Sequence, residues 1–303
     1  MKEITTQSTN KVNISGKVLG VNIREGKTKD GKNYVGGKVV VQVNQTYFGN
    51  EELSEVSVGF FATALTNKGT VNPAYESIQD LKNLKTAQTV GLNGADMITI
   101  NGASLRENMF VAKNSNQLID TWDINSSFFK TGADKETASF AIDVYIMDKT
   151  EELDREGVET GRLIIKGGIV QYGGRLDIVN FYAEEPEVID YITRNWEPDS
   201  TVQIRGRVRM TKKEKKPTVK TSSWGEEVPE DTSTQFVNEL IICTGDDYDE
   251  EVWYDPTDIK KAFSERKARI EQMRMDASNG SKASTSAPAA SAASKKKQYD
   301  WED

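Results

Sequence analysis

Between residues 12 and 243 the chain runs through one succession of elements twice: three strands, a helix, then two strands. The strands are read from alternation, because successive side chains of an extended chain face opposite sides. In the first pass residues 12–23 are apolar at alternate positions around Gly16, and glycine inside a strand marks a bend or bulge. Residues 34–43 follow an Asp30-Gly31 turn, and residues 55–64 form the third strand. Pro73 opens a short helix whose apolar positions Tyr75, Ile78, Leu81 and Leu84 recur every three residues. The fourth strand runs from Met97 to about Val111, and the fifth covers residues 117–124. Turn formers and charges at 131–136 break the pattern, and the order restarts. Strands are expected at 138–147, 161–170 and 175–182, with a charged loop at 148–159 and Gly173-Gly174 as a tight hairpin turn. A helix from Pro186 carries Val188, Ile189, Ile192 and Trp196 on one side, and strands at 201–210 and 235–243 complete the set.

This order predicts a mainly β protein of two tandem five-stranded Greek-key barrels, each with a helix between its third and fourth strands, the OB-fold. The helix falls at the same ordinal place in both halves, which favours tandem barrels over a generic sandwich. The expected organisation is a frayed arm at 1–10, barrels at 11–131 and 137–245, an acidic linker and helix at 246–276, and a tail at 277–303. The helix reading begins at Pro256, with Ile259, Ala262, Phe263, Arg266, Ile270 and Met273 along one mixed face. Residues 277–294 hold only Ala, Ser, Asn, Gly, Thr, Lys and Pro, too polar and small to bury a core, so disorder is expected there.

The chain has no histidine, which removes Ser-His-Asp and Cys-His catalysis and His-ligated zinc. Its one cysteine, Cys243, forms no internal disulfide and reads as a buried thiol on a strand. No phosphate-binding glycine loop and no cysteine cluster occurs. No catalytic residue, metal site or cofactor is therefore expected, and the chain does not read as an enzyme, although metal chemistry on carboxylates alone stays open. No apolar run is long enough to span a bilayer, and the first residues lack an apolar signal core, so a cytoplasmic location is expected.

The net charge of −8 argues against a general polyanion binder, but the charge is unevenly spread. From Arg205 to Lys220 there are eight basic residues against Glu214 alone, a local +7. Sequence-independent binding of single strands needs cations along a groove and rings on which bases stack. OB barrels present strands two and three and the loops joining strands one to two and four to five. In the second barrel those places hold Arg162, Lys166, Tyr172, Arg175 and Tyr182, then Arg205, Arg207, Arg209, Lys212, Lys213, Lys215, Lys216 and Trp224. In the first they hold Arg24, Lys27, Lys29, Lys32, Tyr34, Lys38, one of Phe60 and Phe61, Arg106, Phe110 and Lys113. Adjacent strand residues cannot both face inward, so one of Phe60 and Phe61 is expected in the core, with Phe140 and Phe181. The structural alternative makes the lysine run at 212–216 a solvated loop tip, and the acids from Asp246 a solubilising linker.

The chain resembles single-stranded DNA-binding proteins of bacteria and bacteriophages. Val12-Asn-Ile-Ser-Gly-Lys-Val resembles the family's opening strand, the helix at Tyr75 to Leu84 sits where that family has one, and Ile204-Arg-Gly-Arg-Val resembles its fourth strand. A polar linker ends in Tyr299, Asp300, Trp301, Glu302 and Asp303, an acidic aromatic tip like that family's. Bacterial members usually carry one OB-fold and end on a hydrophobic residue, whereas this chain reads as two and ends Trp301-Glu302-Asp303. Both departures place it nearer phage replication proteins and leave the oligomeric state open. The resemblance implies coating of single-stranded DNA in replication, recombination or repair inside a bacterial host cell. It also implies recruitment of replication or recombination proteins by the tip. An adaptor whose barrels bind protein, and an RNA-binding protein, are the alternatives.

Overall fold

The computed structural model describes residues 3–47, 49–112, 117–133, 135–214, 219–221, 227–229 and 234–283. In chain order the first half holds β1 (Asn10–Lys27), β2 (Asn33–Tyr47), β3 (Asn50–Thr63), α1 (Pro73–Asp80), α2 (Ala87–Val90), β4 (Met97–Val111), β5 (Leu118–Asn125) and β6 (Lys130–Thr131). The second holds β7 (Thr137–Leu153), β8 (Glu159–Val170), β9 (Leu176–Ala183), α3 (Pro186–Asn195), β10 (Thr201–Glu214), β11 (Val219–Thr221), β12 (Glu227–Pro229) and β13 (Thr234–Asp247), and α4 (Pro256–Ala283) follows. The molecule is mainly β, built on one 11-stranded sheet with mixed pairing, and β11 and β12 form a separate ribbon.

Each half closes a circuit. In the first, β1 pairs β2, β2 pairs β3, β3 meets β5 in parallel, β5 pairs β4, and β4 returns to β1. In the second, β7, β8, β9, β13 and β10 repeat that circuit, again with one parallel contact, between β13 and β9. The bend expected at Gly16 is real. A Cβ there would lie 2.1 Å from the Gln42 carbonyl oxygen, so only glycine lets β1 pass this close to β2 while it also pairs β4. The expected helices sit between β3 and β4 and between β9 and β10. Asn72 caps α1 by accepting from the Ala74 amide, Pro73 occupies its first turn, and Ile78 faces the core. Lys149 Nζ donates to the carbonyls of Ile192 and Thr193 at the end of α3, where the helix dipole favours a cation.

The two halves are not beads on a string. Residues 10–15 of β1 pair antiparallel with β7, from Asn10 opposite Ile142 to Ser15 opposite Thr137. One continuous core follows, from Val12, Ile14 and Val41 through Phe140 and Ile142 to Val208 and Ile242. A fully buried side chain of this size contributes roughly 1.5–3 kcal/mol, so this shared core outweighs any surface contact between the halves.

Several elements differ from expectation. The charged loop at 148–159 is largely strand, because β7 continues to Leu153 on backbone bonds to β8. Asp246 and Asp247, expected in an acidic linker, end β13; Asp247 accepts from Trp196 Nε1 at 2.7 Å. The segment before β1 is packed rather than frayed. The Ser8 amide donates to the Val170 carbonyl at 2.8 Å, and the Tyr254 hydroxyl donates to the Thr6 carbonyl at 2.8 Å. Ile4 joins a second core of Tyr145, Val170, Leu176, Tyr254, Ile259 and Ala262, which seats α4. Cys243 is half-buried rather than sealed. Of the tail expected at 277–303, residues 277–283 are not disordered but continue α4, and those from 284 onward lie outside the described residues.

Candidate nucleic-acid interface

The arginines that the sequence places first are engaged with acids that the sequence keeps far away. Arg207 is buried, bonds Glu184 and Glu52, and lies 3.6 Å from the centroid of the Tyr47 ring. Arg209 reaches Glu184 at 2.8 Å, Glu239 at 3.0 Å and Glu52 at 3.1 Å. Arg162 pairs with Glu239 and Glu152 and covers the Tyr182 ring. Arg205 pairs with Asp246, Lys212 with Glu55, and Arg175 with the fully buried Asp177. Burial pushes the Glu184 carboxyl up, but the hydrogen bonds and charges of Arg209, Arg207 and Arg162 outweigh it and hold Glu184 below the usual range. Burial alone would lower the Arg209 pKa, and its three carboxylate partners reverse that. Four of the eight cations counted between Arg205 and Lys220 are thus paired with carboxylates, and the side chains of the other four, Lys213, Lys215, Lys216 and Lys220, lie outside the described residues. Glu52 belongs to β3, so Arg207 and Arg209 tie the two halves together.

The first half offers the contrasting face. Across β1, β2 and β3, Arg24 stands opposite Gly36 and Gly36 opposite Phe61. In the next rows Asn22, Lys38 and Gly59 align, and Gly26, Tyr34 and Thr63. Directly opposed residues share a face, so Arg24, Lys38, Tyr34 and Phe61 point outward together. Alternation puts Phe60 in the core and leaves Phe61 58% exposed. The Tyr34 and Phe61 rings stack with centroids 5.3 Å apart and planes 29° apart. A Cβ at Gly36 would lie 3.2 Å from Phe61 Cδ2, so glycine provides the floor on which that ring lies flat.

Beyond Phe61 the face opens into a cleft of about 550 Å³ lined by Asn101, Ser104, Arg106, Asn125 and Phe128. Phe128 is as exposed as Phe61, and a local turn sets it: its amide donates to Ser126 Oγ, which donates back to its carbonyl. Its neighbour Phe129 turns inward, edge-on to Phe60. Among the described residues Arg24, Lys27, Lys29, Lys32, Lys38 and Arg106 make no ion pair. The first three lysines follow one another through the β1–β2 turn, beside Tyr34.

Phe128, Asn101 and Asn125 were not singled out by sequence. A ring just past a strand gives no alternation to read, and two asparagines on different strands give no pattern. Of the remaining expected residues, Phe110 is half-exposed at the far end of β4, Tyr172 is 86% exposed on the β8–β9 turn, and Lys166 is exposed on β8. Lys113, Lys215, Lys216, Trp224 and the tip from Tyr299 to Asp303 lie outside the described residues, as does the Lys213 side chain. No cluster suited to a metal ion occurs among the described residues, and no helix there is long and apolar enough to cross a membrane.

Among proteins of curated function none matches this chain. Among solved structures the chain is similar to the wild-type single-stranded DNA binding protein from Thermus aquaticus, with a TM-score of 0.51 at 8% identity, over 81% of this chain and 95% of that one. A deletion mutant of that Thermus aquaticus protein matches with a TM-score of 0.49 at 12% identity, over 80% of this chain and 96% of the other. At such identity the first likeness is one of fold. A family model described as YorF matches residues 8–276, which take in both strand circuits and the docked part of α4, and the chain belongs to the YorF family.

Proposed function

We propose that the protein binds single-stranded DNA without sequence preference, and that its two strand circuits are OB barrels, the first carrying the primary binding face. One observation carries the reading: the Tyr34–Phe61 pair lies stacked and outward on a glycine floor, flanked by Arg24 and Lys38, which pair with no carboxylate among the described residues. A base that stacks on such a ring gains roughly 1–3 kcal/mol whatever its identity, while the cations meet phosphates. The fold shared with a protein described as single-stranded DNA binding supports the same reading. The proposed setting is replication, recombination or repair, with the terminal Tyr299 to Asp303 docking partner proteins. Phe61→Ala tests the face. Its affinity for a labelled oligo-dT is expected to fall about 10-fold, within the range for one stacked base, at an unchanged thermal midpoint. Wild-type affinity in that variant would refute this face as the binding site.

A further inference from the structure

The second half repeats the register of the first. Across β8 and β9, Lys166 faces Asn180 and Ile164 faces Tyr182. Across β2 and β3, Lys38 faces Gly59 and Gly36 faces Phe61. Lys166 and Tyr182 therefore occupy the positions of Lys38 and Phe61. Asp148 of β7 faces Lys166 where Asn22 of β1 faces Lys38.

This second face is walled rather than open. The β4–β5 hairpin of the first half packs against it, and Asp120, Thr121 and Trp122 supply the other side of a groove of about 530 Å³. The wall is fixed in place. Buried Glu107 of β4 accepts from the Ile178 amide at 3.2 Å and from Arg266 Nε at 2.9 Å, and Arg266 Nη2 donates to Asp120 at 3.0 Å. The groove thus combines two rings, Trp122 and Tyr182, the side-chain amides of Asn180 and Asn238, two carboxylates, Asp120 and Asp148, and two cations, Lys166 and Arg266, of which Arg266 already pairs with Asp120. Carboxylates repel a phosphate and accept N–H donors. An exocyclic amine, present on cytosine, adenine and guanine and absent from thymine, suits Asp148, the carboxylate of the two that Arg266 does not hold. Lys166, exposed on β8 and part of the groove's lining, is left for a phosphate.

We infer that this composite groove is a second subsite for the same strand, one that takes a nucleobase bearing an exocyclic amine. The inference rests on the proposed single-strand binding and adds a base preference that the open first face lacks. It requires a strand long enough to reach both sites. Barrels of this kind engage about 4–16 nucleotides each, so oligomers of about 6 and about 25 nucleotides separate one site from two.

The test measures anisotropy of labelled oligo-dT and oligo-dC at both lengths, at one salt concentration, with the full chain. The wild type is expected to favour oligo-dC over oligo-dT at about 25 nucleotides and to show no preference at about 6. Trp122→Ala should weaken the longer oligomers by about 10-fold, within the range for one stacked base, and leave the shorter ones unchanged. Asp148 is exposed, so Asp148→Asn leaves the fold intact and should erase the preference for oligo-dC even if Trp122→Ala misfolds. If both variants keep the wild-type ratios, or the wild type shows no preference at the greater length while still binding the shorter oligomers, the second subsite is wrong and the first face stands. If the wild type binds neither length, both fall.

Discussion

Phe61 and Arg207 lie on strands of similar polarity, yet one is free to meet a ligand and the other is not. Phe61 needs only a glycine floor and a neighbouring ring, both within its own half. Arg207 is held by Glu52 and Glu184, and removing it would leave those two acids with Arg209 as their shared cation. Arg207→Met is therefore expected to lower stability by roughly 1.5–3 kcal/mol, the worth of hydrogen bonds to a charged group, read as a shift of the urea midpoint, with oligo-dT affinity unchanged in protein that remains folded. Replacing Arg24, Lys38 and Arg106 together with alanine should do the reverse. The slope of log affinity against log salt should flatten by about 0.7 for each phosphate that is no longer neutralised, with the urea midpoint held. A salt slope equal to that of the wild type would mean these cations touch no phosphate. Strand alternation made the split between Phe60 and Phe61 readable. The partners of Arg207 and Arg209 were not readable, because Glu52, Glu184 and Glu239 come from three separate strands or their ends.

At the scale of elements, β10 and β13 form the hairpin that the sequence reads as a binding finger, and the described part of it, Arg205 to Lys212, is tied to acids on neighbouring strands. A Cβ at Gly206 would lie 1.9 Å from the Ile241 carbonyl oxygen, so Gly206→Ala must push β10 off β13. A large drop in the urea midpoint is expected, and a midpoint within error of the wild type would contradict the pairing. The ion network on that hairpin also sets a pH dependence. Glu184 is held below its ordinary value of 4.5 in the folded protein, so its contribution is complete above that pH and is lost as pH falls through the lower folded value. Stability measured from pH 7 to pH 3 should decline in the acid range, and less steeply in Glu184→Gln, which has no proton to take up there. Helices α1 and α3 were legible from a proline start and a repeat of apolar positions. The extension of β7 was not, since its last residues are charged and give no apolar alternation to read, although they pair with β8. The same holds for the docked segment before β1, whose anchor Tyr254 lies at the other end of the chain.

For the molecule as a whole, the repeated order of elements was the most legible feature, and the joining of the halves the least. Nothing in the alternation of residues 10–15 announces that this strand borders β7 as well as β4. Because that seam carries one shared core, denaturant unfolding is expected as a single transition with coincident far-ultraviolet and tryptophan signals; two separated transitions would mean the halves fold apart. Net charge is −8, so long-range attraction to any polyanion is weak, and binding must come from the local face of Arg24, Lys38, Tyr34 and Phe61. Duplex DNA hides its bases from rings, whereas a single strand offers them. The most direct measurement is the anisotropy of a labelled oligo-dT and of a duplex of equal length, titrated with the full chain at several salt concentrations. The expected result is markedly tighter binding of the single strand, weakening as salt rises. Equal affinity for the two, or single-strand binding indifferent to salt, would contradict the proposed function.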